Sequence, residues 1–106
     1  MTSLFRRYQI LLPLRFNDGS PVPDEFFGKV VLDLRKKFGA VTTETRAAVG
    51  EWEYQEKVFR DELARIFADV PDTPENRAFF QAYKDELKTR FVQIDILITT
   101  FPIEVI

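Results

Sequence analysis

The stretch from Val58 to Asp72 limits most strongly what this chain can fold into. From Glu62 onward its even positions are the smaller and more apolar, which is the alternation of a strand with one buried face. Asp72-Thr73-Pro74-Glu75 follows at once and is typical of a helix start, with Thr73 as N-cap and proline at the first helical position. The chain is therefore predicted to hold a long strand that turns directly into a helix.

Six elements are predicted, in the order strand, helix, strand, strand, helix, strand. Their predicted ranges are Leu4 to Phe16, Pro23 or Asp24 to Phe38, Ala40 to Tyr54, Val58 to Asp72, Thr73 to Arg90 or Phe91, and Gln93 to Thr100. A bulge or the end of regular pairing is predicted at Pro13, a further bulge near Gly50, and a hairpin tip at Gln55-Glu56-Lys57. The apolar tail from Phe101 to Ile106 is expected to pack on a neighbour.

This order matches the ferredoxin-like βαββαβ plan, an α+β fold in which two helices cover one face of a four-stranded antiparallel sheet. By analogy with that fold, the strand order is expected to be 4-1-3-2. A different α+β arrangement with a swapped edge strand satisfies the same pattern. A chain of 106 residues is long enough for one core, so residues 1–106 are predicted to form a single domain.

The alternation separates two sheet faces. The residues predicted to face the helices are Ile10, Leu12, Leu14, Ile66, Ala68, Ile94, Ile96 and Ile98. Those predicted on the opposite face are Gln9, Leu11, Pro13, Arg15, Leu63, Arg65, Phe67, Asp95, Leu97, Thr99 and Phe101. The opposite face is too apolar to be left in water and too charged for an ordinary core. Apolar patches rimmed by polar groups indicate interfaces or ligand sites.

Two absences in the composition limit the chemistry. The chain has no cysteine and no histidine, which excludes disulfides, thiolate nucleophiles and the usual general base near neutral pH. The acidic pairs at Asp61-Glu62 and at Asp69 and Asp72 fit no calcium-binding loop. The sequence therefore predicts no metal and no cofactor, and it leaves open whether the protein is an enzyme.

Charge and hydropathy bear on partners and location. The net charge is −2, so no positive excess is present to bind nucleic acid. The predicted open face has Phe67 but no aromatic partner on the first strand, unlike the RNA-binding RRM domains. The longest apolar run, from Ile10 to Leu14, is too short to cross a bilayer. Nucleic acid and membrane are not expected as partners, and a cytoplasmic location is the default expectation.

Two functions are predicted as alternatives. The first is a self-associating module, most simply a homodimer, that assembles through the open sheet face, through a hairpin arm at residues 46–62, or through both. Its predicted interface residues are Trp52, Tyr54, Leu63, Phe67, Leu97 and Phe101. The second is a ligand-binding protein or small-molecule enzyme of the dimeric α+β barrel type. Its predicted ligand-binding residues are Arg15, Arg65, Asp95 and Tyr54.

Two segments of the chain carry a resemblance. The run Leu11-Leu12-Pro13-Leu14-Arg15-Phe16-Asn17-Asp18-Gly19, together with Asp69-Val70-Pro71-Asp72-Thr73-Pro74-Glu75-Asn76, resembles uncharacterised small bacterial proteins for which a ferredoxin-like fold is expected. The resemblance covers most of the chain and implies a bacterial source. It implies no activity and no catalytic residues.

Overall fold

The fold has the predicted six elements in the predicted order. The computed structural model describes the backbone of residues 4–106 and the side chains of that range other than those of residues 45–50, 52, 54 and 59–61. The elements are β1 (Phe5–Pro13), α1 (Asp24–Phe38), β2 (Thr42–Tyr54), β3 (Lys57–Pro71), α2 (Pro74–Arg90) and β4 (Leu97–Ile103). The strands form one antiparallel sheet in the order β2-β3-β1-β4. The predicted ferredoxin-like α+β fold and its strand order are confirmed.

The starts of both helices and the end of α1 lie where local sequence signals predict them. Acidic residues lie in the first turn of α1 and basic residues in its last, which complements the helix dipole. Gly39 follows with a left-handed backbone, φ 86°, and its N–H donates to the carbonyl oxygen of Arg35 over 2.8 Å. At the start of α2 the Thr73 hydroxyl accepts the Asn76 N–H at 3.2 Å.

The core lies between the helices and one face of the sheet. Ala64, Ile66 and Ala68 are 1%, 0% and 2% exposed, so the even positions of β3 face the helices as predicted. Ile10 and Leu12 of β1 are fully buried beside them. Burying an aliphatic side chain of this size contributes about 1.5–3 kcal/mol before entropy is counted. The helices add buried residues at Val30, Leu34, Phe80, Tyr83, Leu87 and, just past the end of α2, Phe91.

The range of the last strand was predicted wrongly, whereas the first strand ends beside Pro13, which is one of the two alternatives predicted for it. The last strand was predicted at residues 93–100 but lies at Leu97–Ile103, so Ile94 is 92% exposed rather than buried. The cause is the end of α2, where Val92 takes a left-handed backbone at φ 54° and the next four residues lead back to the sheet. β1 ends at Pro13, which has no N–H to continue a ladder; Leu14 is only partly buried and Arg15 lies in the following loop.

The β2–β3 hairpin extends beyond the rest of the sheet. The last β1 residue in register with β3 is Pro13, opposite Leu63, and the hairpin continues past that point as two strands. Gln55 and Glu56 form a two-residue turn, both with positive φ, so the tip is one residue shorter than predicted. The register shift in β2 falls between Glu44 and Ala48, just before the predicted bulge. The molecule consequently measures 50 × 29 × 23 Å.

A polar cluster joins the two helices. The Tyr83 hydroxyl donates to Asp33 Oδ2 over 2.9 Å, and Arg90 Nη2 lies 3.1 Å from the same oxygen. Burial and the hydrogen bond to Asp33 raise the pKa of the Tyr83 phenol. Burial opposes ionisation of Asp33, but the hydrogen bonds from Tyr83 and Arg90 outweigh it and lower the pKa of that carboxyl. The cluster therefore holds Asp33 ionised and α1 against α2.

Replacement of Val92 by glycine is expected to stabilise the protein. A β-branched residue in the left-handed region is strained, and glycine adopts that backbone freely. The expected gain in the free energy of unfolding is about 1 kcal/mol, measured by urea denaturation. Val105→Gly is the matched control, because Val105 is also exposed but has no positive φ. A loss of stability in Val92→Gly would contradict this account.

Removal of a hydroxyl should have opposite effects at two buried tyrosines. Tyr8 stacks on Phe80 with ring centroids 4.1 Å apart, and its hydroxyl is buried without a hydrogen-bond partner in the described part of the chain. Tyr8→Phe is expected to leave stability unchanged or raise it, since it removes an unsatisfied polar group. Tyr83→Phe is expected to cost about 1–2 kcal/mol, since it removes the bond to Asp33. Equal losses in thermal denaturation of the two variants would refute the comparison.

Candidate functional site

The candidate site is the sheet face that points away from the helices, here called the outer face. It consists of odd-numbered residues of three strands: Phe5, Arg7, Gln9, Leu11 and Pro13 of β1; Leu63, Arg65, Phe67 and Asp69 of β3; and Leu97, Thr99, Phe101 and Ile103 of β4. None of these side chains is fully buried, whereas most of the even-numbered residues between them on β1 and β3 are buried in the core. Among the described residues, neither helix covers this face.

The strand register arranges the outer face in rows across the sheet. Gln9 lies at the centre, between Phe67 on β3 and Thr99 on β4. In the row on one side of it, Leu11 lies between Arg65 and Leu97. Directly opposite side chains in such rows are close enough to touch. Apolar side chains on this surface are therefore interspersed with polar and charged ones.

Arg7 occupies the row on the other side of Gln9. It binds Asp69 with two hydrogen bonds, from Nε over 2.8 Å and from Nη2 over 3.0 Å, and its guanidinium lies 4.1 Å from the ring centroid of Phe67. The hydrogen bond to Asp69 raises the pKa of Arg7. Sequence reasoning started the outer face at Gln9 and so missed Arg7. Its odd position one step earlier on the same strand was the available signal.

Arg65 is the other arginine of the outer face, and it is less well paired. Its Nη1 lies 3.8 Å from Glu44 Oε1 on β2, with the Arg65 side chain one-third exposed. Its Nε is buried and has no hydrogen-bond partner within the described residues. A single long contact between partly exposed groups contributes little to stability. Arg65 therefore retains hydrogen-bonding capacity at this surface.

The other predicted ligand-binding residues do not join Arg65. Arg15 lies in the loop after β1, where its Nη1 donates to the carbonyl oxygen of Gly19 over 3.1 Å. Asp95 was placed wrongly on the outer face, because β4 begins two residues later. Its carboxylate lies 3.1 Å from Lys84 Nζ on α2, and that hydrogen bond lowers the pKa of Asp95. Tyr54 is at the end of the hairpin arm, and its side chain lies outside the described ones.

Four of the predicted interface residues lie together on the outer face. Leu63 and Phe67 are partly buried, while Leu97 and Phe101 are 54% and 44% exposed. Trp52 lies in the hairpin arm opposite Phe59, and its side chain is outside the described ones. The structure therefore places four of the six predicted interface residues on one surface and separates the predicted ligand-binding residues.

Three other features of the molecule bear on possible binding or membrane sites. A shallow groove of about 390 Å³ on the helices is lined by residues that include Asp33 and Tyr83, which already bind each other. In the described part of the chain no group of three or more acidic residues is arranged to hold a metal ion. Over the same range, no helix combines the length and the hydropathy that a membrane span requires.

No family model matches the chain, and no curated protein matches it. Solved structures of similar fold do exist. A divalent cation tolerance protein, CutA1, of Thermus thermophilus is 15% identical, with a TM-score of 0.63 and coverage of 93% of this chain and 84% of its own. CutA1 of Oryza sativa is 12% identical, with a TM-score of 0.62 over 98% and 84% of the two chains.

A further structure of similar fold is a phage SAM lyase in complex with S-methyl-5'-thioadenosine. It is 15% identical to this chain, with a TM-score of 0.62 and coverage of 99% of this chain and 92% of its own. Identities this low show a shared fold and nothing more. The comparisons thus agree with the ferredoxin-like architecture of a small module that belongs to no family identified by its sequence.

Proposed function

We propose that the protein is a self-associating assembly module in which a second copy covers the outer face to form a homodimer. The observation that carries this proposal is the exposure of apolar side chains on a sheet face that lacks a helical cover. Leu97 and Phe101 are about half exposed there, and Leu11, Leu63 and Phe67 are only partly buried. Exposed apolar patches with polar rims are typical of protein–protein contacts.

The charges of the outer face favour a second copy of this chain as the partner. Its arginines already have acidic neighbours in the same copy, Asp69 for Arg7 and Glu44 for Arg65. A face that carries both signs in internal pairs neither repels itself nor demands a partner of opposite charge. Two such faces can meet by two-fold symmetry, which is the commonest arrangement in homo-oligomers.

The size of the outer face indicates that the hairpin arm takes part as well. Three strands spaced ~4.8 Å apart, seven residues long at ~3.4 Å each, span a face of roughly 14 Å by 24 Å. That area, about 340 Å², is below the roughly 800 Å² per partner of a standard interface. The arm at residues 46–62 would supply additional area, and a two-stranded ribbon is only marginally stable without packing.

The structures of similar fold do not indicate one chemical function for this chain. One is described as a divalent cation tolerance protein and another as a SAM lyase bound to S-methyl-5'-thioadenosine. Proteins with the same fold thus have two unrelated functional descriptions, which is common for simple α+β folds. The outer face is a feature of this chain's own residues, and for that reason the proposal rests on it.

Sedimentation velocity tests the homodimer. At micromolar concentration Leu11→Glu is expected to sediment as a species of about half the mass of the unmodified protein, because the variant would bury a carboxylate within the interface. Leu32→Glu is the matched control, since Leu32 is 37% exposed on α1 and lies away from the outer face. Circular dichroism checks that each variant is folded. A monomeric unmodified protein, or a Leu11→Glu variant that sediments with the same mass as the unmodified protein, would refute the proposal.

The Nε of Arg65, which has no hydrogen-bond partner among the described residues, favours a second candidate function, the binding of a small anion on the outer face. A buried guanidinium nitrogen without a partner is costly, and an anionic oxygen would satisfy it. This is the ligand-binding alternative reduced to Arg65, the one residue of its predicted set with an unpaired nitrogen among those whose side chains are described. Arg15 and Asp95 have partners elsewhere and are not part of it.

Native mass spectrometry tests this second candidate. The purified protein is expected to carry an added mass that Arg65→Gln lacks and that the control Arg77→Gln retains, since Arg77 is exposed on α2. The added mass would identify the ligand. An unmodified protein with no added mass, or an Arg65→Gln variant that keeps it, would remove the candidate.

A further inference from the structure

The two edges of the sheet differ in how they are protected. β2 forms one edge, where Glu44, Glu51 and Glu53 lie along the strand and the register shifts after Glu44. β4 forms the other edge, and Leu97–Ile103 contains no charged residue. Charged side chains and bulges are the usual means by which sheet edges avoid pairing with another chain. By this criterion β2 is protected and β4 is open.

The ladder fixes which backbone groups of β4 face outward. Leu14 N–H donates to Glu62 O, and Asp72 N–H donates to Leu4 O, so the even residues of β1 bond to β3. In an antiparallel strand the backbone groups alternate sides, and the odd residues of β1 must therefore bond to β4. Their β4 partners are all odd-numbered. The even residues Ile98, Thr100 and Pro102 consequently turn their backbone groups to the free edge.

Three details agree with this assignment. Pro102, which has no N–H, falls on the free side, where proline is tolerated in an edge strand. The Thr100 hydroxyl donates inward, to the Arg7 carbonyl oxygen over 2.8 Å, and so does not block the edge. Ile98 and Thr100 leave two N–H donors and two carbonyl acceptors in the spacing that an antiparallel neighbour requires.

We propose that the open edge of β4 pairs antiparallel with β4 of a second copy, about a two-fold axis at Thr99. In this register Ile98 lies opposite the partner's Thr100 and Thr100 opposite the partner's Ile98, which gives four backbone hydrogen bonds and requires none from Pro102. The two Thr99 residues face each other in a non-hydrogen-bonded pair.

The side chains explain why the occupant is a second copy. Leu97 and Phe101 are equally spaced on either side of Thr99, and both are about half exposed. The two-fold axis brings each Leu97 against the Phe101 of the other copy on the outer face, so apolar side chains meet apolar side chains. No like charges approach along the pairing strands. Edge pairing does not depend on the face-to-face dimer, because its backbone hydrogen bonds form at the edge of the sheet and not across its face.

Cysteine cross-linking tests this register. The chain has no cysteine, so Thr99→Cys introduces a single thiol. Opposed residues in a non-hydrogen-bonded pair have Cα atoms about 4.5 Å apart, which is within the range of a disulfide. Under mild oxidation at micromolar concentration, Thr99→Cys is expected to form a covalent dimer on non-reducing gels. The matched control is Thr43→Cys, an exposed threonine on the β2 edge, which is expected to stay monomeric.

Three outcomes would overturn the edge pairing. The first is a Thr99→Cys that cross-links no faster than Thr43→Cys. The second is efficient cross-linking between the two variants when they are mixed, which would indicate a β4-to-β2 contact instead. The third is loss of the Thr99→Cys cross-link when Leu11→Glu is added, which would assign the contact to the outer face. Cross-linking that persists with Leu11→Glu would support edge pairing whether or not the face-to-face dimer exists.

Discussion

The antiparallel pairing of β1 with β3 is the constraint on which the rest of the structure depends. Ile10 and Ile66 face each other across it, and both are fully buried under the helices. Since side chains alternate along a strand, the burial of this pair also decides that Leu11 and Arg65 point to the other side. The core and the outer face are thus two results of a single register, and a shift by one residue would exchange them.

Most of the architecture could be predicted because its signals are local. A few neighbouring residues encode the start of α2 at Thr73-Pro74 and the end of α1 at Gly39. The alternation of β3 continues without interruption. The start of β4 could not be predicted in this way. Ile94, Ile96 and Ile98 alternate like a strand, but the left-handed backbone at Val92 has no signature, because valine rarely adopts it.

The candidate site was less predictable because its composition depends on the paths of the loops that flank the strands. Arg15 and Asp95 continue the alternation of neighbouring strands, but both lie in loops outside the sheet. There Arg15 donates to the Gly19 carbonyl oxygen, and Asp95 pairs with Lys84. Arg7, by contrast, combines an aromatic and a carboxylate neighbour that lie some sixty residues away in sequence. Pairwise contacts of this kind follow from the register of two strands, which periodicity alone does not provide.

The unequal edges of the sheet have a consequence for the extent of assembly. If copies joined β4 to β2, each new copy would offer the same free edge again, and the sheet could grow without limit or close into a ring. A two-fold contact at β4 uses both open edges at once and leaves only the acidic, irregular β2 edges at the ends. Assembly through β4 would therefore end at a finite particle instead of a fibre, because a few glutamates on β2 protect the edges that remain.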